Sequence, residues 1–309
     1  MSNALRGLRI GFIERPHPPE HRGSVTHRLL PLLRECGARV ELVHAEQGLH
    51  RLDTSPPWDL VVLKSGSAAA LHLAAAAEAW GVPSVNWSES TRLAQDKLAS
   101  AAILQRAGLP IAPAYLAWLG SRTFRPEASA HRSMGNGDSP VLTCHAPEVP
   151  RLLMEQIGEL PDCPLIVKAA RGSRGTGLWS IEPGELPALA ATLSEGPYLL
   201  MERVPHAGDD LKVFIAGKWM TATERPFPAA SYTDKLGRPV HLPSSVAEVV
   251  REAGRLLGLA CFGCDFVKGP DGWVLVDVNA FPGYKGAIGA PEALAMEISR
   301  LASEGAIQR

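Results

Sequence analysis

Between Leu8 and Trp87, short β-branched runs alternate with helical stretches, and that rhythm leaves few folds open. "LRIGFI" (Leu8–Ile13) reads as a strand, and Ser24–Cys36 as an amphipathic helix closed by Gly37. "ARVELVHA" and "DLVVLKS" are further strands; the latter is nearly all apolar, as a strand buried on both faces must be. An alanine-rich helix runs to Trp80, and the short strand "PSVNW" follows it. This βαβαβ order predicts a small parallel sheet flanked by helices.

Beyond it, Ser88 or Ser90 caps a helix expected to run to about Ala107, ended by Gly108 and Pro110. From Gly120 to about Pro150 the chain is polar and scattered with Gly, Ser and Pro, which predicts a long surface excursion. A helix near Val149–Ile157 precedes the strand "CPLIVKAA". Three more strands ("PYLLMERV", "LKVFIAG", "KWMTATER"), a helix over Ser244–Leu257 and the strand pair "CFGCDFV" and "GWVLVDVNA" complete the pattern. No internal repeat is present.

The totals exclude some functions. With 31 basic and 32 acidic residues the net charge is −1, so no overall field draws nucleic acid. No apolar run approaches the roughly 18 residues of a membrane span, and the N-terminal run is too short for a signal peptide. Five scattered cysteines suit a reducing compartment. The expectation is a cytoplasmic protein of more than one domain, acting without nucleic acid or membrane.

Two features point to chemistry. "VKAARGSRGTG" (Val167–Gly177) sets three glycines and two arginines after an apolar strand ending in Lys168. Its backbone N–H groups and cations suit a polyphosphate. The loop is not a P-loop, because Leu178-Trp179 stands where Lys-Ser/Thr is required, and its glycine order reverses the dinucleotide fingerprint. The second feature is the turn "KGPDG", which folds the last two strands into a hairpin and brings Asp265 to within about a residue of Asp277. Strand alternation puts Asn279 on the face of Asp277. Facing carboxylates repel unless a cation relieves them, and hard oxygen donors suit Mg²⁺ better than zinc. Either aspartate alone would read as a solvated strand end. Cys261-x-x-Cys264 could suggest redox or zinc chemistry, but no second such pair exists and residues three apart in a strand face opposite ways, so Cys264 reads as a buried thiol beside Asp265; His17, His21 and His27 read as part of a solvated loop.

The ordered set "DK" (Asp96-Lys97), "LIVKAARGSRGTG", "MERV", "DDLKVFIAG", "TERP", "CDFV" and "VDVNAFPG" closely resembles the ATP-grasp superfamily, in its branch of ribosomal-protein glutamate ligases and related carboxylate–amine ligases. The resemblance spans about Asn86 to Gly286. It implies an α/β (α+β) fold with an N-terminal parallel-sheet domain (1–87), a central ATP-grasp subdomain (88–195, with the 120–150 insertion) and a C-terminal one (196–309), ATP lying between two antiparallel sheets. It implies that Lys97 and Lys168 contact ATP, and that Arg171, Gly172, Ser173, Gly175 and Gly177 close over its triphosphate. Glu202 and Val204 would hold adenine, and Asp209 or Asp210 the ribose. Lys212 and Arg225 would act on the γ-phosphate and acyl phosphate. Asp265, Asp277 and Asn279 would bind two Mg²⁺ ions, with Mn²⁺ as an alternative.

Small-molecule carboxylate and amine substrates, or a peptide, are the implied partners, and a homo-oligomer is left open. The sequence departs from that branch at "TERPFPAASYTDKLGRPVHLP", which has proline where a second arginine would stand and no Asn-containing acceptor segment. "FPGYKG" and "DLKVFIAG" also resemble inositol polyphosphate kinases of the same superfamily. An amide-forming ligase, a small-molecule kinase and a non-catalytic nucleotide-binding subunit are therefore weighed together. The complete set Lys168, Asp265, Asp277 and Asn279 favours an enzyme.

Overall fold

In the computed structural model, residues 5–16, 25–120, 160–170, 177–206, 208–227 and 229–307 are described. The chain divides into two compact units, Met1–Ala112 with Val204–Arg309, and Pro113–Arg203. The three-part division expected above rests on motif order, which a division by contact does not address.

The first unit opens with β1 (Arg9–Ile13), α1 (Val25–Glu35), β2 (Arg39–Val43), β3 (Leu60–Leu63), α2 (Ala68–Ala79) and β4 (Ser84–Val85). Its strands pair in parallel in the order β2-β1-β3-β4. All of β3 is buried, as its apolar composition requires. Just past β4, the Asn86 side chain accepts from the amides of Ala260 and Cys261 (2.9 Å each) and donates to the Cys261 carbonyl (2.7 Å).

The helix expected over Ser88–Ala107 is two helices, α3 (Ser88–Gln95) and α4 (Lys97–Arg106). Asp96 breaks them. Its backbone is extended (φ −77°, ψ 97°), and its carboxylate accepts from the amides of Leu98 and Ala99 at 3.1 and 3.0 Å. A capping aspartate satisfies the first free N–H groups of a new helix, which competes with continuing the old one. Lys97 thereby becomes the first residue of α4.

The second unit holds β5 (Ala114–Leu119), β6 (Leu165–Ala169), β7 (Leu178–Ile181), α5 (Leu186–Thr192) and β8 (Gly196–Glu202). Its antiparallel sheet runs β5-β8-β6-β7. Leu186 and Ala190 of α5 pack on Leu119, Leu165, Val167 and Leu200. The expected 120–150 excursion and the helix near 149–157 lie outside the described residues.

The chain then returns to the first unit with β9 (Asp210–Ala216), β10 (Trp219–Arg225), α6 (Tyr232–Leu236), β11 (Arg238–Val240), α7 (Ser244–Leu257), β12 (Cys261–Gly269), β13 (Gly272–Ala280) and α8 (Ala290–Ile307). These strands form a second sheet, β11-β10-β9-β12-β13. One face is apolar: Val246, Val250, Ala253 and Leu257 of α7 pack on Val213, Phe262, Cys264 and Val278. Burying each such side chain contributes about 1.5–3 kcal/mol. The sequence expectations contain no element after Ala280. Helix α8 is there, its Leu294 and Ile298 buried with Phe12, Leu29, Leu33 and Phe214.

Candidate active site

With α7 on one face of the second sheet, the register decides what stands on the other. Asp210 pairs with Arg225, Thr223 and Asp265 both pair with Lys212, and Asp277 pairs with Asp265. Directly paired residues share a face, and so do residues two apart in a strand. Arg225, Thr223, Asp210, Lys212, Asp265, Asp277 and Asn279 therefore line one side of four adjacent strands. A bulge between Asp265 and Phe266 shifts the register past this point.

The charges on that face are interlocked. Lys212 Nζ donates to both oxygens of Asp265 at 2.5 and 2.7 Å. Lys97 Nζ donates to Asp277 Oδ1 at 2.5 Å and to the Val278 carbonyl at 3.3 Å. The Asn279 amide nitrogen bridges Asp265 Oδ2 (3.1 Å) and Asp277 Oδ2 (3.0 Å). The Arg225 guanidinium lies 5.5 Å from the Phe214 ring centroid and donates to the Lys285 carbonyl at 3.4 Å. Burial pushes Arg225 below its ordinary value, with Asp265 and Asp210 opposing. Its Nε, Thr223 Oγ1 and Asp210 Oδ1 are buried and make no hydrogen bond within the protein. Orphaned polar atoms gathered on one face need an explanation, and a ligand supplies one.

Among the described residues there is no group of three or more His, Cys, Asp or Glu able to hold a metal ion. The candidate set is two carboxylates and an amide, and its chemistry fits Mg²⁺. The donors are hard oxygens, the carboxylates stay 26% and 28% exposed, and the ammonium groups now facing them mark where positive charge is wanted. A half-turn of the Asn279 amide presents its oxygen instead of its nitrogen.

No family model matches the chain. Over 285 residues it is 24% identical to a probable alpha-L-glutamate ligase of Thioalkalivibrio sulfidiphilus, covering 84% of this chain and 85% of that protein. The structure of an ATP-grasp RimK domain protein from Sphaerobacter thermophilus superimposes with a TM-score of 0.66 at 15% identity, covering 96% of this chain and 98% of the other. The fold is ATP-grasp. D-alanine–D-alanine ligase of Bacillus anthracis, solved with ATP, shares it at a TM-score of 0.62 and 15% identity, covering 98% and 99% of the two chains. The expected likeness to glutamate ligases thus holds at low identity.

Of the residues picked out by ATP-grasp motifs, the structure brings Lys97, Lys212, Arg225, Asp210, Asp265, Asp277 and Asn279 together in the first unit. Asp209 is exposed, and Val204 packs by its Cγ1 toward Gly269. In the second unit, Lys168 pairs with Leu178 and Leu199 in the sheet, and Glu202 Oε1 accepts from the Tyr115 hydroxyl at 3.0 Å. Gly177 has φ 79°, and its carbonyl accepts from the Ala169 amide at 3.0 Å. Arg171, Gly172, Ser173 and Gly175 lie outside the described residues. Cys264 is a buried free thiol, as expected, and Cys261 is buried too; burial pushes both up. Thr223 and Tyr284 are the residues sequence reasoning missed. Thr223 carried a signal, standing two before Arg225 on an alternating strand.

Asp210 also yields a stability prediction. Burial pushes its carboxyl up to about 6; His206, 3.6 Å away, opposes this, Asp265 adds to it, and Lys212 and Arg225 oppose it. A raised folded-state value favours the neutral acid, so its contribution is fully present below the unfolded value near 4 and is lost as pH rises through 6. Asp210→Asn is therefore expected to match the parent at pH 4 and exceed its stability by roughly 1–2 kcal/mol at pH 7.5. Urea unfolding at the two pH values measures this. A less stable variant at pH 7.5 would show that the ionised carboxylate has a favourable role in the fold.

Proposed function

We propose that this chain is an ATP- and Mg²⁺-dependent carboxylate–amine ligase working through an acyl phosphate. The observation that carries it is the single sheet face on which Asp265, Asp277 and Asn279 meet Lys97, Lys212 and Arg225. The ATP-grasp fold and the likeness to an alpha-L-glutamate ligase support it. Asp265, Asp277 and Asn279 would hold the metal, whose chemistry there would be to offset the charge of phosphate oxygens. Motif order assigns the nucleotide contacts Lys168, Arg171–Gly177, Glu202, Val204 and Asp209 or Asp210.

In the first step a substrate carboxylate oxygen attacks the γ-phosphorus. The bond to the β,γ-bridging oxygen breaks, leaving ADP and an acyl phosphate. Lys212 and Arg225 offset charge on the transferring group and on the acid that receives it, the kind of stabilisation from which this chemistry draws most of its rate. An amine then attacks the acyl carbon, phosphate leaves with the C–O bonding electrons, and the nitrogen gives up a proton. A cytoplasmic setting supplies ATP and keeps the buried thiols reduced. Among the described residues no helix is long and apolar enough to cross a membrane.

A kinase acting on a polyphosphorylated ring would need several uncommitted cations near the acceptor. Here Lys64 is buried against Glu14 at 3.0 Å, Arg238 pairs with Glu224, Arg255 pairs with Glu252, and Lys268 lies over the Trp273 ring. Among the described residues, these commitments leave little positive charge for a polyphosphate. The expected result is release of ADP and free phosphate together, only when acid and amine are both supplied. ADP release without free phosphate, accompanied by a stable phosphorylated product, would replace the ligase with a kinase.

A further inference from the structure

Among the described residues, Phe281 and Tyr284 are the non-glycine residues with positive φ, at 39° and 51°. They flank Pro282-Gly283, where the chain leaves β13 just after Asn279. An aromatic residue keeps left-handed backbone only where its surroundings enforce it. Here three contacts do. The Phe281 amide donates to the Cys261 carbonyl at 2.9 Å. Tyr284 is buried, and its hydroxyl donates to the Ile215 carbonyl at 2.5 Å. At Gly286 a Cβ would overlap the Leu236 carbonyl oxygen, so the turn closes tightly on the end of α6.

This turn backs the candidate active site. Phe214 stands two residues after Lys212 on β9 and so shares the face of the site. Its ring centroid lies 5.5 Å from the Arg225 guanidinium carbon, 6.0 Å from Lys212 Nζ and 5.5 Å from the Tyr284 ring. One buried ring thus carries both cations proposed to act on the transferring group, and Tyr284 lies against it. A second contact runs through the main chain. The Arg225 guanidinium donates to the carbonyl of Lys285, the residue after Tyr284, at 3.4 Å. Arg225 Nε makes no hydrogen bond within the protein, so that edge of the group is not tied down directly. A phenylalanine would fill the same space as Tyr284. The hydroxyl goes further and pins the turn that presents the Lys285 carbonyl.

Building on the role given to Arg225 in the ligase proposal, we infer that Tyr284 is a positioning residue for phosphoryl transfer, holding the Arg225 guanidinium through the Phe214 ring and the Lys285 carbonyl. A cation aimed in advance at developing charge needs no reorganisation in the transition state. A guanidinium left to swing still attracts the ground-state anion, so losing the anchor falls on kcat and spares KM.

The test uses the full chain with Mg²⁺-ATP, hydroxylamine and, in turn, succinate, glutarate and L-glutamate. Hydroxylamine displaces phosphate from an acyl phosphate and leaves a hydroxamate. Tyr284→Phe should lower kcat for the fastest acid roughly 10- to 30-fold and leave both KM values within about twofold. Arg225→Lys lowers kcat by itself. Adding Tyr284→Phe to it should lower kcat by less than about twofold more, because the group that Tyr284 aims is already gone. A tyrosine that only supports the fold would cost the same factor in both backgrounds, and that result overturns the inference. An unchanged kcat in Tyr284→Phe does so too. Independently of turnover, the Arg225 Nε–H signal in NMR, assigned by its loss in Arg225→Lys, should exchange with water at least about tenfold faster in Tyr284→Phe. Unchanged exchange overturns the inference and leaves the ligase standing. Parent-like turnover in Arg225→Lys removes Arg225 from the ligase reading, and Tyr284 with it. If the product is instead a phosphate ester of an alcohol, the ligase reading falls, and the same comparison of kcat and exchange decides Tyr284.

Discussion

Asp277→Asn is expected to lower acid-dependent ADP formation by roughly a thousandfold while the protein stays folded. The substitution keeps the shape of the side chain and removes one charge from the centre of the site. Asp277 lies directly opposite Asp265, accepts from Lys97 at 2.5 Å and shares the Asn279 amide with Asp265. Losing its charge would weaken the hold on the proposed divalent cation and reduce the Lys97 ion pair to a hydrogen bond with the amide oxygen, beside the one to the Val278 carbonyl. The stability cost is expected to be modest, about 1–2 kcal/mol, because the repulsion between the two carboxylates is relieved at the same time. ADP release and thermal melting with and without Mg²⁺-ATP measure both effects. Near-normal turnover in Asp277→Asn, or undiminished parent activity in EDTA, would remove the metal assignment.

Asn86→Leu is expected to cost the most stability of any single change considered. Asn86 is 2% exposed, and its one amide satisfies two backbone N–H groups and a carbonyl on the approach to β12. Leucine is close in size but leaves both N–H groups unpaired, while the Cys261 carbonyl keeps the Phe281 amide as its donor. Each buried orphan costs about 1–3 kcal/mol, so a loss of roughly 2–6 kcal/mol is expected. That is a large part of the 5–15 kcal/mol typical of a folded domain. Urea unfolding gives the value, and a loss below about 1 kcal/mol would show that water or a backbone shift replaces the bonds.

The hairpin at the centre of the site was legible in the sequence because it is local. The turn-composed stretch Lys268–Gly272 holds the end of β12, a two-residue turn and the start of β13, so pairing them needs no knowledge of the rest of the chain, and side-chain alternation then puts Asn279 beside Asp277. The structure pairs Asp265 directly with Asp277. That the first sheet is parallel was legible too, since each strand and helix carries its own periodicity. Helix α8 was not, because its alanine-rich pattern becomes a core only against α1 and the first sheet. The break at Asp96 was hidden too, since an aspartate inside a helical pattern caps a new turn only if the chain behind it bends away.

Chemical type and spacing within a strand were set by the sequence alone: two carboxylates, an amide and their lysines, in motif order. Which lysine meets which carboxylate was decided by the tertiary structure. Lys97 reaches Asp277 across 180 residues of chain, and Lys212 reaches Asp265 across 53. Such partners are chosen by sheet order and by where Asp96 ends a helix, and no period of 2 or 3.6 residues carries that information.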